Sequence, residues 1–134
     1  AVPAESIAGV ALIADGRRQN GVGQNPGRKV GGVGAEIALQ PVSGLIQPIV
    51  PGASMRGARP NGFGSLADRT FQICAPNDSV CDAPPNVSNA LERAQGLIAA
   101  NGVHAQYASN SGVIDGTTAN QWVVSWARQL IDAA

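Results

Sequence analysis

The sequence predicts part of an α/β fold with a central parallel sheet, and three observations support this. A continuous apolar run, Ile7 to Ala14, stops at Asp15-Gly16, which is typical of a strand covered on both faces in a parallel sheet. A second run, Thr70 to Cys74, is β-branched and aromatic and predicts another strand. The third observation is a long amphipathic pattern near the carboxyl end, which predicts a helix packed on something large.

Two helices are indicated by apolar residues at helical spacing. The first is predicted from Val87 onward, and Asn101-Gly102 supplies its carboxy-terminal stop. The second is predicted over the last residues of the chain, where Asp115 or Thr117 can cap its start. Its apolar side repeats at positions i, i+3, i+4 and i+7 and consists of Ala119, Trp122, Val123, Trp126, Ala127, Leu130 and Ile131.

The long segment between Asp15 and Asp68 carries weaker signals. We expect a short strand at Glu36 to Leu39 and an apolar, proline-interrupted stretch from Val42 to Val50. A loop of this length inside a compact domain is usually functional or hides a missed element. Because a buried parallel strand needs hydrogen-bonding neighbours on both edges, two or three strands cannot complete the sheet. We therefore expect residues 1–134 to be the carboxy-terminal part of a larger domain.

Composition and charge exclude several classes of protein. Charged residues make up 13% and hydrophobic residues 44%, which is the wrong balance for a disordered chain. The nine basic residues cancel the nine acidic ones and no Lys/Arg run exceeds a pair, so nucleic acid is not an expected partner. No apolar stretch approaches the roughly 20 residues of a membrane helix. The glycine-rich stretches at 21–29 and 32–37 lack nucleotide-binding motifs and predict turns.

The residues that suggest chemistry lie between the two predicted helices and just before them. The only two cysteines, Cys74 and Cys81, lie close together, which predicts one local disulfide and an oxidising compartment. Asp78 lies between them, and the only histidine, His104, follows ahead of the last helix. In α/β-hydrolases, the nucleophile is followed along the chain first by the acid and then by the histidine. Asp78 would accept a hydrogen bond from His104 Nδ1, leaving Nε2 to take a proton from a serine hydroxyl.

Other interpretations of the same residues stay open. A lone histidine such as His104 is more often an ordinary loop residue, and an aspartate such as Asp78 is common in turns. Asp82 is a nearby competitor for the role of the acid. Cys74, Cys81, His104 and a carboxylate could also form a metal site, although the spacing of the cysteines is uncommon for zinc. We predict no metal and no cofactor.

The Cys-bracketed Asp78 also resembles the acid-bearing turn of the cutinase family of serine esterases, which a disulfide closes in the same way. The likeness covers nearly the whole chain and is strongest to the mycobacterial, envelope-associated cutinase-like hydrolases. It implies the three-layer sandwich of an α/β-hydrolase, with Asp78 as the triad acid and His104 as the general base. The other matching blocks are residues 12–19, 62–64, 68–74, 103–108, 121–122 and 126–128.

The sequence departs from that family at the nucleophile. The family's Gly-x-Ser-x-Gly elbow is absent from these residues, and the pattern at 52–57 around Ser54 has its second glycine one place late, with no predicted strand before it. In the family, the strand that matches Ile7 to Ala14 follows the elbow. We therefore expect the nucleophile on an amino-terminal part of the same hydrolase, either cleaved from this chain or encoded separately.

The resemblance implies hydrolysis of acyl esters through a serine acyl-enzyme. The substrates would be fatty-acyl esters, including phospholipids or thioesters, and the protein would be secreted or held in the cell envelope, in peripheral contact with the membrane or envelope. The alternative is a non-catalytic lipid-binding or structural module that keeps the hydrolase fold without the serine.

Residues 42–57 are a candidate lid or wall of an acyl-chain groove, because this stretch is apolar and lies in a long predicted loop. A covered surface loop is the alternative. The candidate groove residues are Leu45, Ile46, Ile49, Val50 and Met55.

Overall fold

The structure, a computed structural model, describes residues 2–98 and 102–134 and places two parallel strands side by side. Strand β1 is Val10–Ile13 and strand β2 is Thr70–Ile73. They pair in register, so that Val10 lies opposite Thr70 and Ile13 opposite Ile73. Both predicted strands are confirmed and pair in parallel, and each is shorter than the apolar run that predicted it. The expectation that the first strand is covered on both faces is wrong for the described residues, because no residue of β1 is buried.

Four α-helices and four short 3₁₀ turns accompany this strand pair in the described residues. The α-helices are α1 (Ala35–Ala38), α2 (Ser43–Ile46), α3 (Ala90–Ile98) and α4 (Ala119–Ala133). Short 3₁₀ turns cover Ala4–Ser6, Gln40–Val42, Gly64–Arg69 and Val103–Ala105. Within residues 2–98 and 102–134, no helix is long and apolar enough to cross a membrane.

The expected strand at Glu36 to Leu39 is wrong, because these residues belong to α1 and its carboxyl end. The buried side chains of α1 are Ala35 and Ala38, which lie three residues apart and pack against Ala83. That spacing puts both methyl groups on one face of a helix, whereas a strand would turn them to opposite faces. A segment this short gave too little periodicity to distinguish the two structures.

The two longer helices are found, and the start of α3 is shifted. Helix α3 begins at Ala90 instead of Val87, whose side chain is exposed. Its predicted stop at Asn101 lies outside the described residues. Helix α4 begins at the predicted position, but its cap is Thr118 and neither Asp115 nor Thr117.

A capping box explains why α4 starts where it does. The Thr118 hydroxyl accepts a hydrogen bond from the Gln121 N–H at 3.1 Å, and the Gln121 side chain accepts one from the Thr118 N–H at 3.1 Å. The helix then lays its aromatic face on the sheet, with the Phe71 ring centroid 5.4 Å from that of Trp122 and 5.8 Å from that of Trp126. These tryptophans anchor α4 to the core, as the sequence predicts.

The stretch at 42–57 contains a helix and a hydrophobic cluster. Ile46 is fully buried and Met55 is 8% exposed, and both pack with Leu39 and Ala94 of α3. These two candidate groove residues are therefore core residues in this structure. Of the other three, Ile49 and Val50 are half-buried against the same cluster, and Leu45 is exposed. The lid or groove role of this stretch stays a prediction.

Candidate functional site

The site is built on the turn that follows β2. The predicted disulfide is confirmed: Cys74, directly after the strand, is bonded to Cys81. Between them the backbone makes a tight turn, in which the Asp78 N–H donates to the Ala75 carbonyl at 3.1 Å. Asn77 takes a left-handed φ of 68°, a conformation that asparagine tolerates better than most residues. The turn therefore has the residues it needs to present Asp78 at one fixed position.

Asp78 is a buried carboxylate, 1% exposed, with its acceptor positions occupied. Oδ1 accepts from the Val80 N–H at 2.9 Å. Oδ2 accepts from the Tyr107 hydroxyl at 2.6 Å and lies 3.0 Å from His104 Nδ1, which is also 3.2 Å from Oδ1. A carboxylate held by a backbone N–H and a phenol cannot rotate away from the histidine, because rotation would break both bonds.

His104 lies on the 3₁₀ turn at Val103–Ala105, with 35% of its side chain exposed. Its ring stands edge-on to the ring of Tyr107, with centroids 6.4 Å apart. A carboxylate oxygen accepts hydrogen bonds, so its contact assigns the donor role to His104 Nδ1 and leaves Nε2 as the ring nitrogen that can accept a proton. Nε2 makes no hydrogen bond to any residue in the described part of the chain. The structure thus brings Asp78 and His104 together in the arrangement that a general base requires.

Asp82, the competing acid, lies elsewhere in the same turn. Its Oδ2 accepts from the Asn77 N–H at 2.8 Å and its Oδ1 from the Gly32 N–H at 2.8 Å. These two hydrogen bonds connect Asp82 to the backbone of the turn and to Gly32, and Asp82 makes no hydrogen bond with His104. The alternative metal site is contradicted as well, because both cysteine sulfurs are in the disulfide and cannot serve as thiolate ligands.

A buried arginine connects the acid turn, residues 74–81, to the segment after β1. Arg18 is 1% exposed, and its guanidinium donates to the carbonyl of Cys81 at 2.9 Å and to the carbonyl of Gly32 at 2.5 Å. Burial lowers the pKa of Arg18, and the nearby carboxylates of Asp82 and Asp15 partly offset that effect. The group stays charged, since a guanidinium titrates far above neutral pH. Arg18 therefore fixes the backbone that carries the disulfide.

The glycine-rich stretch at 32–34 runs alongside the acid turn. Val33 and Ala83 exchange two backbone hydrogen bonds, of 2.9 and 2.7 Å. A Cβ on Gly32 would overlap the Ala83 carbonyl and the Asp82 carboxylate, and one on Gly34 would overlap the backbone of Gly16 and Arg18. Glycine is required here because two backbone segments approach more closely than any side chain allows. The stretch is thus a close-packed support for the turn.

Tyr107 is the site residue that sequence reasoning missed. Its hydroxyl donates to Asp78 and accepts from the Ala75 N–H at 2.9 Å, and it lies 3.4 Å from the Cys81 sulfur. Burial and the hydrogen bond to Asp78 raise the pKa of Tyr107, so that the phenol stays protonated. The available signal was that the only tyrosine in the sequence stands three residues after the only histidine.

No serine of the described residues is hydrogen-bonded to His104. Ser54, at the centre of the near-miss elbow pattern, is exposed in an irregular stretch that no strand precedes. A nucleophile elbow needs a strand that leads into a tight turn and a helix. Ser54 therefore has none of the structural context of a nucleophile.

Comparison with known proteins identifies a similar protein from a bacterium. No model of a known protein family matches the chain. A protein of Corynebacterium glutamicum named carboxylesterase Culp6 homolog is 64% identical over 131 residues, which cover 98% of this chain and 42% of that protein. The chain thus spans less than half the length of the curated relative that it matches. Over nearly all of its own length, it is similar to part of a bacterial protein named as a carboxylesterase.

Proposed function

We propose that this chain supplies the acid and the general base of a serine carboxylic-ester hydrolase, and that a segment outside these residues supplies the nucleophilic serine. The single observation that carries the proposal is the contact of the buried Asp78 carboxylate with His104 Nδ1 at 3.0 Å. A buried carboxylate that orients a half-exposed imidazole is the arrangement that activates a hydroxyl nucleophile. The name of the similar Corynebacterium protein supports ester hydrolysis as the reaction.

In the proposed reaction, His104 Nε2 removes the proton from the serine hydroxyl as its oxygen attacks the ester carbonyl carbon. Asp78 stabilises the imidazolium that forms, because their contact then becomes a charge-assisted hydrogen bond. The imidazolium returns the proton to the departing alcohol oxygen as the acyl–oxygen bond breaks. Water then attacks the acyl carbon while His104 takes its proton. The bond between the acyl carbon and the serine oxygen breaks, and the imidazolium returns the proton to that oxygen, which releases the carboxylic acid and the free serine.

The edge of the sheet supports a second polypeptide segment as partner. Within residues 2–98 and 102–134, β1 pairs only with β2, so its other edge presents unpaired backbone groups. An open apolar groove of about 350 Å³ lies between the residues just before β1 and helix α4, and it is lined by Gly9, Trp126, Leu130 and Ile131 among others. A strand added in parallel to β1 would have its carboxyl end at the same end of the sheet as the carboxyl end of β2. A nucleophile after that strand would lie on the side of Asp78 and His104.

The proposed substrates are fatty-acyl esters, with phospholipids or thioesters as members of the same class. The disulfide supports a secreted or envelope location, since such bonds persist in oxidising compartments. The absence of a nucleophile elbow from this sequence favours one alternative, a lipid-binding or structural module without turnover. The two functions differ in one measurable respect, which is hydrolysis.

The test is hydrolysis of p-nitrophenyl acyl esters by the complete protein and by its His104→Ala variant. We expect the wild type to hydrolyse the esters and the variant to lose activity by orders of magnitude, because the general base is removed. Gln106→Ala is the matched control, since Gln106 is exposed on the same loop and its side chain contacts neither Asp78 nor His104. Binding of acyl chains without turnover by the wild type would instead establish the non-catalytic module.

A further inference from the structure

We propose that Tyr107 is a positioning residue that fixes the Asp78 carboxylate and limits how strongly this carboxylate holds the proton on His104. The inference rests on the proposed function, in which His104 is the general base. It goes beyond that function because it assigns to a third residue the control of the base. Three contacts of a single hydroxyl group carry it.

The first contact is with the acid. The Tyr107 hydroxyl lies 2.6 Å from Asp78 Oδ2, and His104 Nδ1 lies 3.0 Å from the same oxygen. The phenol and the imidazole therefore share one acceptor atom, and the phenol has the shorter bond. An oxygen that accepts two hydrogen bonds holds each donor less strongly than an oxygen that accepts one, because the first donor draws negative charge toward itself.

The second and third contacts fix the direction of the phenol. The Tyr107 hydroxyl accepts from the N–H of Ala75, a residue with no exposed surface, and touches the Cys81 sulfur. A hydroxyl has one proton, and the backbone donor occupies its acceptor side, so its own proton is committed to Asp78. The ring lies in the hydrophobic cluster with Ile73 and Val113, which prevents it from turning away.

The charges around this cluster do not reverse the expected effect. Asp78 and His104 face the phenol directly, and Arg18 acts on it from the segment after β1. Asp82 and Asp15 in turn face Arg18. None of these groups takes the place of the tyrosine proton on Oδ2. Because burial raises the pKa of Tyr107, the phenol remains a donor across the range in which a histidine titrates.

Removal of the hydroxyl should therefore make His104 more basic. In a Tyr107→Phe variant, Oδ2 loses the competing donor and its full charge faces the imidazolium, which favours the charged form of His104. We expect the pKa of His104 to rise by about half a unit or more. The acidic limb of the pH profile of kcat/KM should move upward by the same amount, because that limb reports the base in the free enzyme.

The primary measurement is an NMR titration of His104, the only histidine of this sequence, in the complete protein and in Tyr107→Phe. Thr70→Val is the matched control: Thr70 is fully buried and its hydroxyl donates to the Leu66 carbonyl at 2.8 Å, away from Asp78. This control should lower the melting temperature and leave the pKa of His104 unchanged. It separates the loss of a buried hydroxyl from the loss of this particular donor.

Replacement of Tyr107 by 3-fluorotyrosine provides the opposite change and keeps the hydroxyl in place. The more acidic phenol is a stronger donor to Asp78, so we expect the pKa of His104 to fall. An unchanged His104 pKa in both the phenylalanine and the fluorotyrosine proteins would overturn the inference and leave Tyr107 with a purely structural role. If the pKa shifts are observed in a protein that hydrolyses no ester, the proposed function fails and the assignment of Tyr107 stands.

Discussion

The two strands of the sheet have the same length and lie in register, yet their surroundings differ. On β2, Thr70, Gln72 and Ile73 are buried, and the Gln24 backbone pairs with its outer edge through two hydrogen bonds of 2.7 Å. On β1, no residue is fully buried, and Ile13 is 37% exposed. The sequence of β1 is nevertheless the more continuously apolar of the two. A strand with that composition is suited to the centre of a sheet.

The two strands therefore differ in what they position: one leads into the turn that carries Asp78, and the other has an unpaired edge in the described residues. The enclosed strand β2 leads directly into the disulfide-bonded turn, so Asp78 follows the more buried of the two strands. Strand β1 is only partly covered, and its second edge is unpaired in the part of the chain that the structure describes. The structure therefore contrasts a closely held turn around Asp78 with a strand that has one unpaired edge in the described residues.

The largest expected effect concerns the acid. In the complete protein, Asp78→Asn should lower kcat by about 10⁴-fold, because an amide no longer holds the imidazole in the required tautomer. Asp82→Asn is the control, since this carboxylate braces the turn through Asn77 and Gly32 and does not contact His104. It should lower the melting temperature and retain activity. Equal loss of kcat in both variants would mean that only the integrity of the turn matters.

The same substitution at two paired positions, one on each strand, tests whether a further segment covers β1. Ile73 is fully buried, so Ile73→Ala should lower the free energy of unfolding by about 2 to 5 kcal/mol. Its register partner Ile13 is 37% exposed here, which by itself predicts a much smaller loss. If a further strand covers β1 in the complete protein, Ile13→Ala should instead cost nearly as much as Ile73→Ala. Denaturant unfolding of both variants decides, and a small cost at Ile13 would argue against a covering segment.

Removal of the disulfide should have a moderate effect on the enclosed side. Serine at both Cys74 and Cys81 should lower the free energy of unfolding by about 2 to 3 kcal/mol, since the unfolded chain loses a constraint. The turn would still hold Asp78 through the Val80 N–H and the Tyr107 hydroxyl. We therefore expect kcat, measured well below the new melting temperature, to fall far less than in Asp78→Asn. A loss as large as that of Asp78→Asn would show that the covalent bond itself positions the acid.

The smallest predicted effect concerns the buried arginine. Arg18→Met keeps much of the side-chain volume and removes the donors to the carbonyls of Cys81 and Gly32. We expect a loss of about 1 to 3 kcal/mol in the free energy of unfolding, because these buried acceptors lose their partner. Arg17→Met is the control, as Arg17 bonds the carbonyls of Gly57 and Ala58 away from the acid turn. If Arg18→Met lowers the free energy of unfolding no more than Arg17→Met does, Arg18 does not stabilise the site.

The sequence allowed prediction of those features that depend on neighbouring residues or on strong periodicity. The strand pair, helix α4 and the Cys74–Cys81 bond are of this kind. Helix α1 and the Thr118 cap were mispredicted, because four residues carry almost no periodicity and several polar residues before α4 are acceptable caps. The contact of Asp78 with His104 was expected from their order in the chain.

The supports of the site could not be predicted, because they depend on long-range packing. Arg18 reaches Cys81 across 63 positions of the chain, and a sequence gives no sign of which arginine is buried. The role of Tyr107 likewise depends on the fold of the loop after His104, which brings its hydroxyl to the acid. Such contacts become visible only when the segments that make them are placed in space.

The most direct test of the central claim is fluorophosphonate labelling of the complete protein, followed by peptide mapping of the modified residue. We expect the label on a serine outside residues 1–134, and we expect labelling to slow by orders of magnitude in His104→Ala. Labelling of a serine within residues 1–134, or an unchanged labelling rate in the variant, would contradict the claim that this chain provides the acid and the base for a nucleophile held elsewhere.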